Sequence, residues 1–161
     1  DIPFLGICLG MQCAVIEFAR NVIGWSDAHT TEIAEECNYP VINMMEEQKN
    51  IAKLGGTMRL GAYKCQLKPN SNSSSAYNSD LIYERHRHRF EFNNAYLEDF
   101  EKVGMIATGK NPETGLVEVV EIPSHSWFVG TQYHPEYKST VENPHPLFVA
   151  FINAAITHNN K

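Results

Sequence analysis

Gly6-Ile7-Cys8-Leu9-Gly10, closing the apolar run Ile2 to Ile7, is the stretch whose reading decides the fold. A continuously apolar run this short reads as a strand of a parallel sheet, buried on both faces. The cysteine bracketed by glycines reads as a nucleophile elbow, with sulfur in place of the usual serine hydroxyl. The strand ends, the backbone turns sharply and a helix begins at Leu9, lifting the Cys8 side chain above the sheet. That helix aims its first N–H groups and positive dipole end at the sulfur, which favours thiolate over thiol. A thiolate attacking a carbonyl still needs a proton donor for its leaving group. His134-Pro135-Glu136 supplies one, a base followed closely by a carboxylate. Alternate residues in extended chain share a face, so Glu136 reaches one ring nitrogen while the other faces the thiol.

Around the elbow, Leu9 to Ile23 reads as a helix with Ala14, Val15, Phe18, Ala19 and Val22 on its apolar side. Asp27 to Pro40 is a polar, broken loop with Glu32 near its centre, and Val41 to Met45 is a short strand. Glu46 to Gly56 is a charged connection ending in paired glycines, read as a lid or turn. Met58 to Leu67 alternates as a strand, and the serine and asparagine tract Asn70 to Ser75 reads as a solvated loop. A strand over Arg85 to Phe92 and a short helix over Ala95 to Val103 follow. Gly115 opens a hairpin-like stretch, with strands over Val117 to Ile122 and Trp127 to Tyr133. Leu147, Phe148, Phe151, Ile152, Ala155 and Ile156 recur at helical spacing, giving a C-terminal amphipathic helix. The order is mixed α/β without internal repeats, and its reactive residues lie at strand ends, where open α/β sheets place their ligands.

The chain has 161 residues and 43% hydrophobic content, enough for one domain with a core. It starts at Asp1, almost inside a strand, as a piece of a longer polypeptide would. A net charge of −6 argues against nucleic acid and acidic membranes as partners. No run approaches the roughly 20 apolar residues of a membrane span, and no signal-peptide pattern opens the chain. None of the four cysteines forms a CxxC pair. Cys13, Cys37 and Cys65 read as reduced, buried packing residues, which fits a cytoplasmic location. His29, His125, His145 and His158 lack a neighbour like Glu136 and read as structural or solvent-exposed.

Glu84-Arg85-His86-Arg87-His88-Arg89-Phe90-Glu91 is the second unusual stretch. As a strand it places its arginines on one face and His86 and His88 on the other. No third ligand at convincing spacing completes a zinc site, so no metal is assigned. The run reads as a buried or interfacial charge network, with one arginine able to bind a carboxylate through its planar fork.

Four stretches together resemble one family. They are Gly6 to Gln12, Gly55-Gly56-Thr57-Met58-Arg59-Leu60-Gly61, Glu84 to Phe90, and Gln132-Tyr133-His134-Pro135-Glu136. In this order they resemble the C-terminal class I glutamine amidotransferase domain of the CTP synthases. The first and last stretches are shared by class I amidotransferases, and the middle two point to the CTP synthases. The resemblance implies an α/β, flavodoxin-like fold: an open mixed or parallel sheet flanked by helices. Residues 1–161 would be the C-terminal portion of that domain. Its N-terminal part, with the glycine-rich loop that supplies a second oxyanion donor, would lie before Asp1.

The implied activity is a glutaminase. Cys8 attacks the side-chain amide of L-glutamine, forming a thioester, His134 moves the protons and Glu136 holds the imidazole. Leu9, Gly10, Met11 and Gln12 would line the glutamine site, the Leu9 amide serving as an oxyanion donor. Glu32 would meet the substrate's α-ammonium group and Arg89 its other end. The ammonia would serve ATP-dependent amination of UTP to CTP in a synthase domain that this chain lacks. Magnesium and ATP are expected there, with GTP as an activator and the complete protein a homo-oligomer, expected as a tetramer. The chain departs from the family at Ser126, where a proline is expected before the aromatic residue Trp127. Two other readings stay open: a stand-alone cysteine hydrolase of γ-glutamyl substrates with the same triad, and a non-catalytic fragment.

Overall fold

A computed structural model describes residues 1–44 and 58–160. The expected lid and the Gly55-Gly56-Thr57 part of the second motif lie outside the described residues. In chain order the elements are β1 (Phe4–Ile7), α1 (Leu9–Phe18), β2 (His29–Thr30), β3 (Pro40–Met44), β4 (Arg59–Leu67), α2 (Asn72–Tyr77) and β5 (Leu81–His88). They continue with β6 (Phe90–Phe92), α3 (Leu97–Lys102), β7 (Ile106–Lys110), β8 (Val117–Glu121), β9 (Phe128–Thr131) and α4 (Pro146–Asn159).

Six strands form one mixed sheet in the order β1-β9-β8-β7-β4-β5, and β2-β3-β6 form a smaller one. Parallel pairing is confined to β1 with β9 and β2 with β3 among the described residues. β1 is an edge strand there and only Gly6 in it is buried, so the expected burial on both faces is not seen. Gly6 and Gly130 face each other across the parallel pair. A Cβ on Gly6 would stand 2.8 Å from the Gly10 carbonyl carbon, and one on Gly130 would stand 3.1 Å from Met11 Cγ. The two glycines thus let α1 settle directly on the strands that carry the reactive residues.

One core lies between α1 and the sheets, built on Met11, Val15, Phe18, Ile42, Phe92 and Phe100. The other lies under α2 and α4, built on Leu67, Val119, Val129, Tyr133 and Leu147. The buried stripe of α1 is Met11, Val15 and Phe18, continuing to Ala19. Expected on that stripe, Ala14 is half-buried and Val22 is 52% exposed. The reason is a widened π-helical turn over Ala19–Ile23, which rotates Val22 outward before Gly24 ends the helix. In α4 the packed stripe is Leu147, Ala150, Phe151 and Ala154, leaving Ile152 and Ile156 exposed.

The serine and asparagine tract is not a loop. Ser71 caps α2 by accepting from the Ser74 N–H, and the Glu121 carboxylate accepts from the N–H groups of Asn72 and Ser73 at 2.9 Å. The strand expected over Arg85 to Phe92 breaks at Arg89, and its two halves join different sheets. Cys65 is buried as expected, whereas Cys37 is half-buried and Cys13 exposed, because Cys13 falls on the outer side of α1. No helix among the described residues is long and apolar enough to cross a membrane.

Candidate active site

β1 and β9 run side by side and end together, so the residues that follow them meet at one edge of the sheet. Cys8 follows β1 with φ 49° and ψ −101°, a backbone conformation that non-glycine residues adopt at a cost. Its N–H donates to the Thr131 carbonyl at 2.7 Å, continuing the ladder, and its carbonyl accepts from the Gln12 N–H at 3.1 Å, starting α1. The elbow expected from the sequence is thus pinned on both sides.

The other partner reaches the same edge from β9. The His134 N–H donates to the Arg85 carbonyl of β5 at 2.8 Å, so the arginine-rich strand holds the histidine loop. His134 Nδ1 lies 2.6 Å from Glu136 Oε1, the contact expected from the sequence, but Pro135–Lys138 forms a 3-10 turn rather than extended chain, and the ring stacks on Tyr137. His134 Nε2 is buried and has no hydrogen-bond partner among the described residues. No hydrogen bond joins the ring to the Cys8 sulfur.

Cys8 is half-buried, and its thiol titrates above its ordinary value. Burial is the main cause, followed among the raising effects by the charges of Glu136 and Glu32. Hydrogen bonds from the Leu9 backbone N–H and the Gln132 amide oppose the rise without cancelling it. The thiolate expected from the helix dipole is therefore not the resting state. Desolvation outweighs the stabilisation by the helix N-terminus, so the thiol form is favoured.

Leu9 is exposed beside the sulfur, and a Cβ on Gly10 would meet nothing within 4 Å, so the turn is open to a ligand. The Met11 side chain instead points into the core, leaving only its backbone for that purpose. Gln12 is buried, and its Nε2 donates to the Phe90 carbonyl at 2.9 Å and to Gln132 Oε1 at 3.2 Å. Glu32 sits on the turn after β2, exposed but near enough for its charge to act on Cys8. Arg89 is exposed at the break between β5 and β6, next to the Phe90 carbonyl that holds Gln12.

Beneath these residues lies a network centred on Arg59 rather than on the arginines of the strand. Arg87 and Arg85 face solvent while His86 and His88 are buried, the alternation expected from the sequence. Arg59 Nη2 lies 2.7 Å from Glu118 Oε1, and Nη1 lies 3.4 Å from Glu91 Oε2. His86 Nδ1 and His88 Nε2 share a hydrogen bond at 2.8 Å. Burial raises both Glu91 and Glu118 to about 7, with Arg59 pulling the other way. Burial, then the Arg59 charge, lowers His86 to about 2 and His88 to about 3, so both rings are neutral. A second network anchors the residue before His134. Tyr133 shares a hydrogen bond with Tyr77, whose hydroxyl donates to Glu84. His145 Nδ1 accepts the Leu147 N–H, so its Nε2 carries the proton that bonds Glu84 at 3.1 Å.

Gln132, Arg59 and Glu118 have no assigned role in the sequence reading, whereas Glu91 closes the run read there as a charge network. Gln132 had a visible signal, a polar residue ending a buried strand just before the histidine. For the others the pairing is long-range and left no local pattern.

Residues 1–154 match the family model for glutamine amidotransferase class-I. The chain is 62% identical over 161 residues to a CTP synthase of Flavobacterium psychrophilum, covering 100% of this chain and 30% of that protein. It is 63% identical over 155 residues to a CTP synthase of Cytophaga hutchinsonii, covering 96% of this chain and 29% of that one. The chain thus spans about 30% of the length of these curated relatives. Among solved structures, the Trypanosoma brucei CTPS glutaminase domain with bound acivicin superposes with a TM-score of 0.90 at 40% identity, over 96% of this chain and 60% of that chain. A putative GMP synthase protein of Thermoplasma acidophilum, at 17% identity and a TM-score of 0.60 over 98% of this chain and 59% of that chain, shares the fold.

Proposed function

Because the chain belongs to the glutamine amidotransferase class-I family, we propose that it is the glutaminase half of a CTP synthase, hydrolysing L-glutamine at Cys8. When glutamine binds, the Cys8 proton passes to His134 Nε2 and the sulfur bonds to the amide carbon. The oxyanion is held by the Leu9 N–H, with a second donor expected from a segment outside this chain. As the C–N bond breaks, His134 returns its proton to the leaving nitrogen and ammonia departs, leaving a glutamyl thioester. Water then attacks, His134 takes a proton from it, and the C–S bond breaks to release glutamate and restore the thiol. Glu136 keeps the imidazole oriented and stabilises its charged form. Glu32 meets the α-ammonium of the substrate and Arg89 its α-carboxylate, one fixed anion and one fixed cation for a zwitterion.

The observation that carries this reading is the buried, unpaired His134 Nε2 beside a Nδ1 held at 2.6 Å by Glu136. Leaving a buried nitrogen unpaired costs about 1–3 kcal/mol; His86 and His88 each carry one too, but at His134 it falls at the sheet edge that also carries Cys8. The ammonia serves ATP-dependent amination of UTP in the remainder of the polypeptide, where magnesium, ATP and GTP act. The reading includes a reducing cytoplasmic setting, in which Cys8 stays a thiol, and a homo-oligomeric complete protein.

The test is glutamate release by the complete polypeptide. Cys8→Ser and His134→Ala should each lower glutamine turnover by about 10³-fold or more, while amination of UTP with added ammonia persists. Undiminished turnover in Cys8→Ser, or hydrolysis of γ-glutamyl peptides in preference to glutamine, would sink the proposal.

A further inference from the structure

Gln132 takes no part in the chemistry above, yet it is wholly buried and its amide reaches the reacting atom. Its Nε2 lies 3.6 Å from Cys8 Sγ, within reach of an N–H···S hydrogen bond. Which end of the amide faces the sulfur is fixed by its neighbours. The Phe90 carbonyl can only accept, so the Gln12 amide must turn its nitrogen towards it, at 2.9 Å. The same nitrogen is 3.2 Å from the Gln132 amide, and the atom it meets there must be the oxygen. The Gln132 nitrogen is therefore left facing the sulfur, as a donor.

We propose that Gln132 is a further residue of the catalytic centre: its amide N–H binds and orients the Cys8 sulfur, with Gln12 and the Phe90 carbonyl as the relay that keeps the amide turned that way. The resting sulfur needs such a partner. It makes no hydrogen bond with His134, and the carboxylates of Glu32 and Glu136 both disfavour its ionised form. The Leu9 and Gln132 N–H groups are the two that favour it. The Leu9 N–H must turn to the oxyanion once the substrate is attacked, if it is to serve as an oxyanion donor. The Gln132 N–H has no second task and can stay with the sulfur as it ionises and again as it leaves the thioester. A hydrogen bond to a charged acceptor is roughly twice as strong as one to a neutral acceptor, so the contact gains most when the thiolate forms.

The kinetic arm of the test rests on the glutaminase reading, and the labelling arm does not. In the complete polypeptide, the rate of Cys8 alkylation by iodoacetamide is followed against pH by mass spectrometry. Gln132→Met keeps the length and removes the donor, while Gln132→Glu keeps the shape and replaces the donor with an acceptor. Both should shift the alkylation midpoint upward, by about 0.5–1 pH unit for Gln132→Met, a 3-fold to 10-fold loss of thiolate at fixed pH. Gln12→Met, which removes only the orienting bond, should give a smaller upward shift. With glutamine, Gln132→Met should lower kcat about 10-fold and change KM less than about 3-fold. Midpoints unmoved in both Gln132 variants, whatever their stability, overturn the proposal. A midpoint that moves in an enzyme with no activity on glutamine upholds it and overturns the glutaminase reading instead.

Discussion

At Cys8 the local sequence and the folded surroundings push in opposite directions. The strand–cysteine–helix pattern is written in neighbouring residues, so the elbow, its positive φ and the Leu9 N–H at the sulfur could all be anticipated. The burial and the carboxylates that hold the proton on the thiol come from elsewhere in the chain and could not. His86 shows the same division. Its alternation with Arg85 and Arg87 set it on the face opposite theirs, but its burial and the Arg59 charge that govern its titration come only through the fold. Burial and the Arg59 charge hold its folded value near 2, against about 6.5 in the unfolded chain. The unfolded state thus binds the proton first, and stability is lost as pH falls below about 6.5. Glu91 and Glu118, raised to about 7, act in the other sense and cost stability as pH rises from about 4.5 to 7. His86→Gln isolates the histidine. The stability advantage of the wild type over this variant should shrink as pH drops from 7 to 5 in urea unfolding. A difference that stays flat over that interval would show that His86 is not held neutral.

Among the elements, α2 was hidden and α1 was legible for related reasons. An apolar stripe at helical spacing is a local signal, and α1 followed it until the π-helical turn moved Val22 out of line. Asn72 to Ser75 carries no stripe, and its residues prefer to bond their own backbone, which is a loop signature. What makes it helical is a carboxylate from β8. Glu121 accepts from the Asn72 and Ser73 N–H groups and from the Ser73 hydroxyl at 2.6 Å, and Thr108 of β7 donates to it at 3.0 Å. An anion at a helix N-terminus is favoured twice, by the unpaired N–H groups and by the dipole. Glu121→Gln turns an amide towards donors that need an acceptor. It should cost about 1–3 kcal/mol, seen as a lower urea midpoint with an unchanged slope. An unaltered midpoint would mean that α2 is held by its packing alone.

Over the whole molecule, the sheet that carries the site is open where the site begins. β1 bonds β9 on one side and no strand on the other among the described residues. On α4, Ile152 and Ile156 are each more than half exposed. An unpaired edge and an apolar helix face both favour association. The net charge of −6 opposes it, because two copies of the chain repel at long range. Salt removes the repulsion and leaves the apolar attraction. Going from about 20 mM to about 500 mM sodium chloride shortens the Debye length from roughly 20 Å to roughly 4 Å. The 161-residue chain produced alone should therefore sediment as a monomer at the lower salt and self-associate at the higher. Ile152→Lys combined with Ile156→Lys should weaken that association by removing the apolar face and leaving the edge of β1 intact. If the double variant associates as strongly as the wild type, the edge of β1 is the adhesive surface. If the wild type stays monomeric at both salts at about 100 μM, neither surface binds a second copy with a Kd tighter than about 100 μM.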